Sequence, residues 1–155
     1  MTTVTSASNI REKGGIVVRD LLKADSTLVA LIGRAANDSI FLGLPSNAKT
    51  RFEVKYPYIR IDILPSDFID YSHDGSMQEA TLRLRITSFS PDQFTALKMA
   101  DRAFNVITGA SSTLKAQGFT LRSTSTVSID EIAPDGKTLW NEGVTLNLNY
   151  IGSRS

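Results

Sequence analysis

The strongest constraint on how this chain folds is a period-two alternation of apolar and polar residues that recurs along it. In residues 56–64, Ile59, Ile61 and Ile63 point one way and Tyr58, Arg60 and Asp62 the other. The same alternation sets Leu82, Leu84 and Ile86 against Arg83, Arg85 and Thr87, and sets Val144, Leu146, Leu148 and Tyr150 against Thr145, Asn147 and Asn149. Successive side chains of a strand project to opposite faces, so each run reads as a strand with one face on a core and one on solvent. That is the pattern of an antiparallel sheet covered on a single side.

Between these runs lie helical periods and turns. Val17, Val18, Leu21 and Leu22 recur at helical spacing, with Arg19, Asp20 and Lys23 on the other side. A second helix follows a joint at Ala24-Asp25, with Ser26 as its N-cap, Leu28, Leu31 and Ile32 as its apolar face, and Gly33 as its stop. Ser90-Pro91-Asp92 opens a third, with Ser90 capping and Asp92 complementing the dipole. Phe94, Leu97, Ala100, Phe104 and Ile107 form its stripe, and Gly109 ends it. Residues 39–42 read as a short strand. Residues 118–132 and 138–151, joined through Pro134-Asp135-Gly136, read as a long hairpin. Residues 43–51 and 65–76 read as loops. Pro57 suggests an edge position or a strand start. The expected fold class is α+β, a mostly antiparallel sheet of four to five strands with two to three helices on one face. We expect one domain across residues 1–155, with residues 1–9 as a flexible leader.

Composition narrows the chemistry. With 17 basic and 16 acidic residues the net charge is +1, which gives no global attraction to nucleic acid or to an anionic membrane. There are no cysteines, so disulfides, thiolate metal sites and cysteine nucleophiles are excluded. This fits synthesis in a reducing cytoplasm. No apolar run approaches the roughly 20 residues that cross a bilayer. His73 is the only histidine and sits in a turn-like context, so a Ser-His-Asp arrangement has poor support. Asp67, Asp70 and Asp74 crowd one acidic loop, but their spacing matches no EF-hand. Gly14-Gly15 lacks the lysine and hydroxyl of a P-loop and reads as a loosened helix start. Arg83 and Arg85 could meet phosphate, although a solvated sheet face explains them as well. No cofactor and no catalytic residue is expected. Strand faces rich in Thr, Ser, Asn and Arg, and an open edge at the final strand, suit packing against neighbours.

Several weak motifs occur in an order that resembles a known family. Residues 18–33 contain a helix ending in Leu-x-x-Asp (Leu22, Asp25), followed by Leu28, Leu31, Ile32 and Gly33. Then come Ser39-Ile40-Phe41, Tyr56-Pro57-Tyr58-Ile59-Arg60-Ile61, Leu82-Arg83-Leu84-Arg85-Ile86, a helix with Ala100-Asp101-Arg102-Ala103, and a closing strand-turn-strand. From Val17 to Ile151 the chain is similar to the tail-terminator, or tail-completion, proteins of tailed bacteriophages, minor tail proteins of siphophage or myophage type. The long acidic loop at 65–76 departs from the pattern. The resemblance implies a non-enzymatic virion protein, assembled in the host cytoplasm. It would form a ring, commonly a hexamer, on the head-proximal end of the tail tube, end tube polymerisation and present a surface to neck proteins. Genomic DNA would pass through the lumen without sequence-specific binding. On this expectation the interface candidates are Lys49, Arg51 and Lys55 in one loop, Asp67, Asp70, Tyr71 and Asp74 in the other, and Arg83 and Arg85 on a strand. A neck, head-closure or tube-like subunit is the nearest alternative. A small ligand-binding module or enzyme is the more distant one.

Overall fold

The structure is a computed structural model and is described for residues 7–44, 48, 54–64, 69–71 and 77–153. The elements run α1 (Ala7–Lys23), α2 (Ser26–Ile32), a 3-10 turn (Ala36–Asp38), β1 (Ile40–Leu42), β2 (Tyr58–Leu64), β3 (Ile69–Tyr71), β4 (Met77–Ser90), α3 (Gln93–Thr108), α4 (Ser111–Ala116), β5 (Phe119–Ile132) and β6 (Thr138–Ser153). The sheet has the order β1-β2-β4-β6-β5, and β3 pairs with the part of β4 that β2 leaves free. Every pairing is antiparallel except β1 with β2. The expected α+β class is therefore the observed one, with β3 in a segment read as a loop and α4 in a segment the sequence reading left unassigned.

The alternating strands meet as expected. Ile61, Ile86 and Val144 lie in one cross-strand row, Leu84 and Leu146 in the next, and Leu82, Leu148 and Leu121 in a third. All four helices pack on this face, contributing Val18, Leu22, Leu28, Ile32, Met99, Ala103, Ile107 and Leu114 to one continuous core. Ile63 lies at the sheet margin and is 38% exposed.

Several local expectations need correction. α1 begins at Ala7, so residues 7–9 belong to a helix, while residues 1–6 lie outside the described residues. Gly14 and Gly15 sit inside α1 rather than before it, and their role is close approach. A Cβ on Gly14 would lie 2.7 Å from Leu82 Cδ2, and one on Gly15 would lie 2.8 Å from Leu42 Cδ1. The missing side chains let the helix descend onto the sheet. Gly14→Val should therefore overpack the core and lower stability by about 2 kcal/mol, read as a fall in the urea midpoint with an unchanged slope.

Both predicted N-caps move to a neighbouring aspartate. Asp25 caps α2 by accepting from Leu28 N at 2.8 Å, and Ser26 is the first helical residue. Asp92 caps α3 by accepting from Thr95 N at 2.9 Å and Thr95 Oγ1 at 2.7 Å. Ser90 Oγ instead accepts from Asp92 N. Gly33 does end α2, at φ 80° with its N–H on Val29 O.

The buried stripe of α3 is Ala96, Met99, Ala100, Ala103 and Ile107. At 3.6 residues per turn these fall on one narrow face, and Phe94 falls opposite, 70% exposed. Leu97 and Phe104 flank the stripe half-buried. Small residues face the sheet because the strands already supply the bulk.

Candidate functional site

The opposite face of the sheet carries no helix among the described residues, and the register fixes what it presents. One row reads Tyr58, Phe89, Asn141, Ile129; the next Arg60, Thr87, Gly143, Val127; the next Asp62, Arg85, Thr145, Ser125; the next Leu64, Arg83, Asn147, Ser123. One end of this face is not solvated. Val54, Tyr58, Phe89 and Leu139 are buried there as a second cluster, with Phe41, Ala48 and Tyr56 packed against it. Tyr58 stacks on Phe89 with centroids 4.6 Å apart and on Tyr56 at 6.0 Å. Tyr58, expected to face solvent, is fully buried.

Beyond that cluster the face is mostly polar, and several of its groups pair with one another. Arg60 Nε donates to Asp62 Oδ2 at 3.0 Å while its guanidinium lies 5.4 Å from the Phe89 ring centroid. Asn147 Nδ2 donates to Ser123 Oγ at 2.7 Å, and Asn149 Nδ2 to Glu79 Oε1 at 3.1 Å. Asn141 Nδ2 donates to Glu131 Oε1. Between the β2 side and the β5 side lies a half-open depression of about 210 Å³, walled by Phe89, Val127 and Ile129 and rimmed by Arg60, Asp62, Arg85 and Glu131. Gly143 lies in it without a side chain to fill it.

The second feature is an edge. The final strand, β6, was expected to offer an open edge, but it lies between β4 and β5 with both sides paired. Among the described residues the open edge belongs to β5. A register shift between Leu121 and Ser123 divides that strand. Before it, Phe119 is buried and Leu121 half-buried. After it, residues 123–130 are exposed on both faces, as is Ile132. Thr and Ser replace apolar residues where the helices no longer reach. Such a row of unpaired backbone groups is a template for another strand.

The interface candidates scatter across these features. Arg85 is half-buried and Arg83 exposed, both on the bare face. Lys55 is exposed beside the second cluster, and its carbonyl accepts from Arg34 Nη2. Asp70 and Tyr71 lie in β3, in register with Glu79 and Gln78, which corrects their placement in a loop. Lys49, Arg51, Asp67 and Asp74 lie outside the described residues, as does His73. The structure places Arg83 and Arg85 on one sheet face with Arg60 and Asp62, and Asp70 and Tyr71 pair further along the same strand β4. Sequence reasoning missed Asn141, Gly143 and Glu131. A glycine inside an otherwise regular strand pattern was the available signal.

Other polar groups serve the fold. Arg102 of α3 grips Asp25 with two bonds, Nε to Oδ2 at 2.9 Å and Nη2 to Oδ1 at 2.7 Å. The Arg102 hydrogen bonds, helped by the Leu28 N–H, hold the Asp25 carboxyl below its ordinary range. A depressed folded-state pKa stabilises above the unfolded value and ceases to do so as pH falls through the folded one. Asp25→Asn keeps an oxygen for the cap but loses the charge. Its destabilisation should be full at pH 7 and shrink below about pH 4, measured by urea midpoints at both pH values. Asp25→Ala should add the loss of the cap, about 1 kcal/mol.

On the helix side, Glu142 is 5% exposed and accepts from Ser128 Oγ at 2.6 Å. Lys13 Nζ lies 5.9 Å and 5.6 Å from the ring centroids of Phe119 and Tyr150, and burial lowers its pKa. Among the described residues, no group of three His, Cys, Asp or Glu side chains is placed to hold a metal, and no helix is long and apolar enough to cross a membrane.

No protein-family model matches this chain, and no curated protein matches it. Its fold is similar to that of a chain in a solved structure described as "Virion of native gene transfer agent (GTA) particle". The TM-score is 0.56 at 17% sequence identity, over 89% of this chain and 94% of the other. At that identity the likeness is one of fold.

Proposed function

We propose that this chain is a single-domain structural protein of a phage-like virion. In this reading it caps the head-proximal end of a tail tube as a ring, ends tube growth and forms the joint to the head. The observation that carries the reading is the similarity in fold, over nearly the whole of both chains, to a chain of a virion particle. The geometry supports it. A ring needs a heterologous contact between two different surfaces of one subunit. The sheet offers two unlike margins at opposite ends of its strand order, the long open β5 and the short β1. β5 runs antiparallel to β6, β6 to β4 and β4 to β2, while β1 is parallel to β2. Strand directions at the two margins are therefore opposed, so a neighbour of the same orientation could extend the sheet in antiparallel fashion.

The partners in this reading are further copies of the chain, tube protein and a neck protein, with DNA passing through the lumen. A near-neutral chain suits a wall that DNA slides past. No turnover is assigned to it.

The test is solution mass by light scattering over a concentration series, repeated with purified tail tubes. A closed ring, or a monomer that becomes a ring on tube ends, is the expected result. A monomer that ignores tubes at every concentration would falsify the reading. A ring that binds neck components but leaves tube length unregulated would move the chain to the neck.

A further inference from the structure

We infer that the depression on the bare sheet face is a binding pocket for a neutral carboxamide, an Asn or Gln side chain presented by another protein chain. The inference does not depend on the ring reading. It rests on two buried polar atoms that have no hydrogen-bond partner among the described residues, Asn141 Oδ1 and Arg85 Nε. Both residues line the depression. Asn141 is 7% exposed, and its orientation is fixed because Nδ2 donates to the Glu131 carboxylate. Turning the amide over would set two acceptors against each other. The oxygen is thus an acceptor in want of a donor, and Arg85 Nε–H is a donor in want of an acceptor. Buried groups of this kind are almost always satisfied, so each unsatisfied one calls for an explanation.

The charge of the rim selects the ligand. Arg60 and Arg85 are matched by Asp62 and Glu131, and Arg60 is already bonded to Asp62. A phosphate or carboxylate would meet two carboxylates, and an ammonium two guanidinium groups. A primary carboxamide carries no charge and supplies a C=O for Arg85 and an N–H for Asn141. Its methylene stem would lie against Phe89, Val127 and Ile129.

Gly143 keeps the pocket open. A Cβ built there would lie 2.9 Å from Val127 Cγ1 and 3.8 Å from Arg85 Cδ, in the space the ligand would take.

The probe is N-acetyl-glutamine N-methylamide, titrated into ¹⁵N-labelled protein and followed by two-dimensional NMR. Shifts should concentrate on the Asn141 side-chain NH₂, Arg85 Nε–H and the amides of Gly143 and Val127. Acetate and methylammonium should bind at least tenfold more weakly. Gly143→Ala should weaken the probe at least fivefold while its spectrum stays dispersed. Should that variant unfold, competition between the probe and N-acetyl-leucine N-methylamide on the parent protein carries the test, with the glutamine derivative expected to bind at least fivefold tighter. Equal binding of acetate would overturn the inference in favour of an anion site. An absence of localised shifts at 100 mM probe would overturn it in favour of water or a direct Arg85–Asn141 contact. Because the readout uses free protein, a failed pocket and a failed ring remain separate results.

Discussion

Cutting Tyr58 back to alanine should lower stability by about 4 kcal/mol and the melting midpoint by roughly 10 °C. Read from the strand pattern alone, Tyr58 stands with Arg60 and Asp62 on the solvent side, where truncation would change little. In the structure it is fully buried, stacked on Phe89 and Tyr56, with Phe41 tilted against it at 6.1 Å. Removing the ring would leave a cavity between the sheet and the segment around Val54 and Tyr56. Tyr58→Phe keeps the stacked ring and should retain most of the stability. Urea and thermal unfolding of both variants decide the matter. A Tyr58→Ala protein within 1 kcal/mol of the parent would mean that the second cluster does not form in solution.

The largest functional effect should come from the β5 edge. A combined Thr124→Lys, Thr126→Lys and Ile132→Lys variant should fold like the parent, because all three side chains are exposed. On the proposed ring reading, its capping of tube ends should nevertheless fall at least tenfold, since lysines along an edge oppose strand addition. The measurement is the fraction of tube ends carrying a cap in electron micrographs, with far-ultraviolet circular dichroism as the folding control. These positions lie outside the carboxamide pocket, so the variant should still bind the amide probe. Full capping by this variant would remove β5 from the interface and leave the bare face as the candidate surface.

What was legible in the sequence follows the range of the signal. Alternation is a local property, so the inward faces of β4 and β6 and most of that of β2 could be read residue by residue. The starts of α2 and α3 were located to within two residues, but Ser26 and Ser90 were chosen where Asp25 and Asp92 cap. Both members of each pair can cap, and the backbone angle decides between them. The stripe of α3 was misjudged because apolar size was followed instead of angular position, which gave Phe94 the place that Ala96 holds. Which strand forms the edge depends on β6 inserting between β4 and β5, a fact of topology with no local signature. Even so, the run of Ser and Thr through 123–126 contained a hint, since a stretch of strand with no apolar face has nothing to cover.

The pairing of β4 with β6 also sets a timetable. These strands join residues 77–90 to residues 138–153, and β5 has β6 as its sheet neighbour. Contacts between segments so distant in sequence form late and slowly. On the ribosome, β4 must wait with one side unpaired until β6 begins to emerge. The β5 margin acquires its shape in the same step. A chain whose β6 has not yet emerged therefore has no finished β5 edge to offer a neighbour.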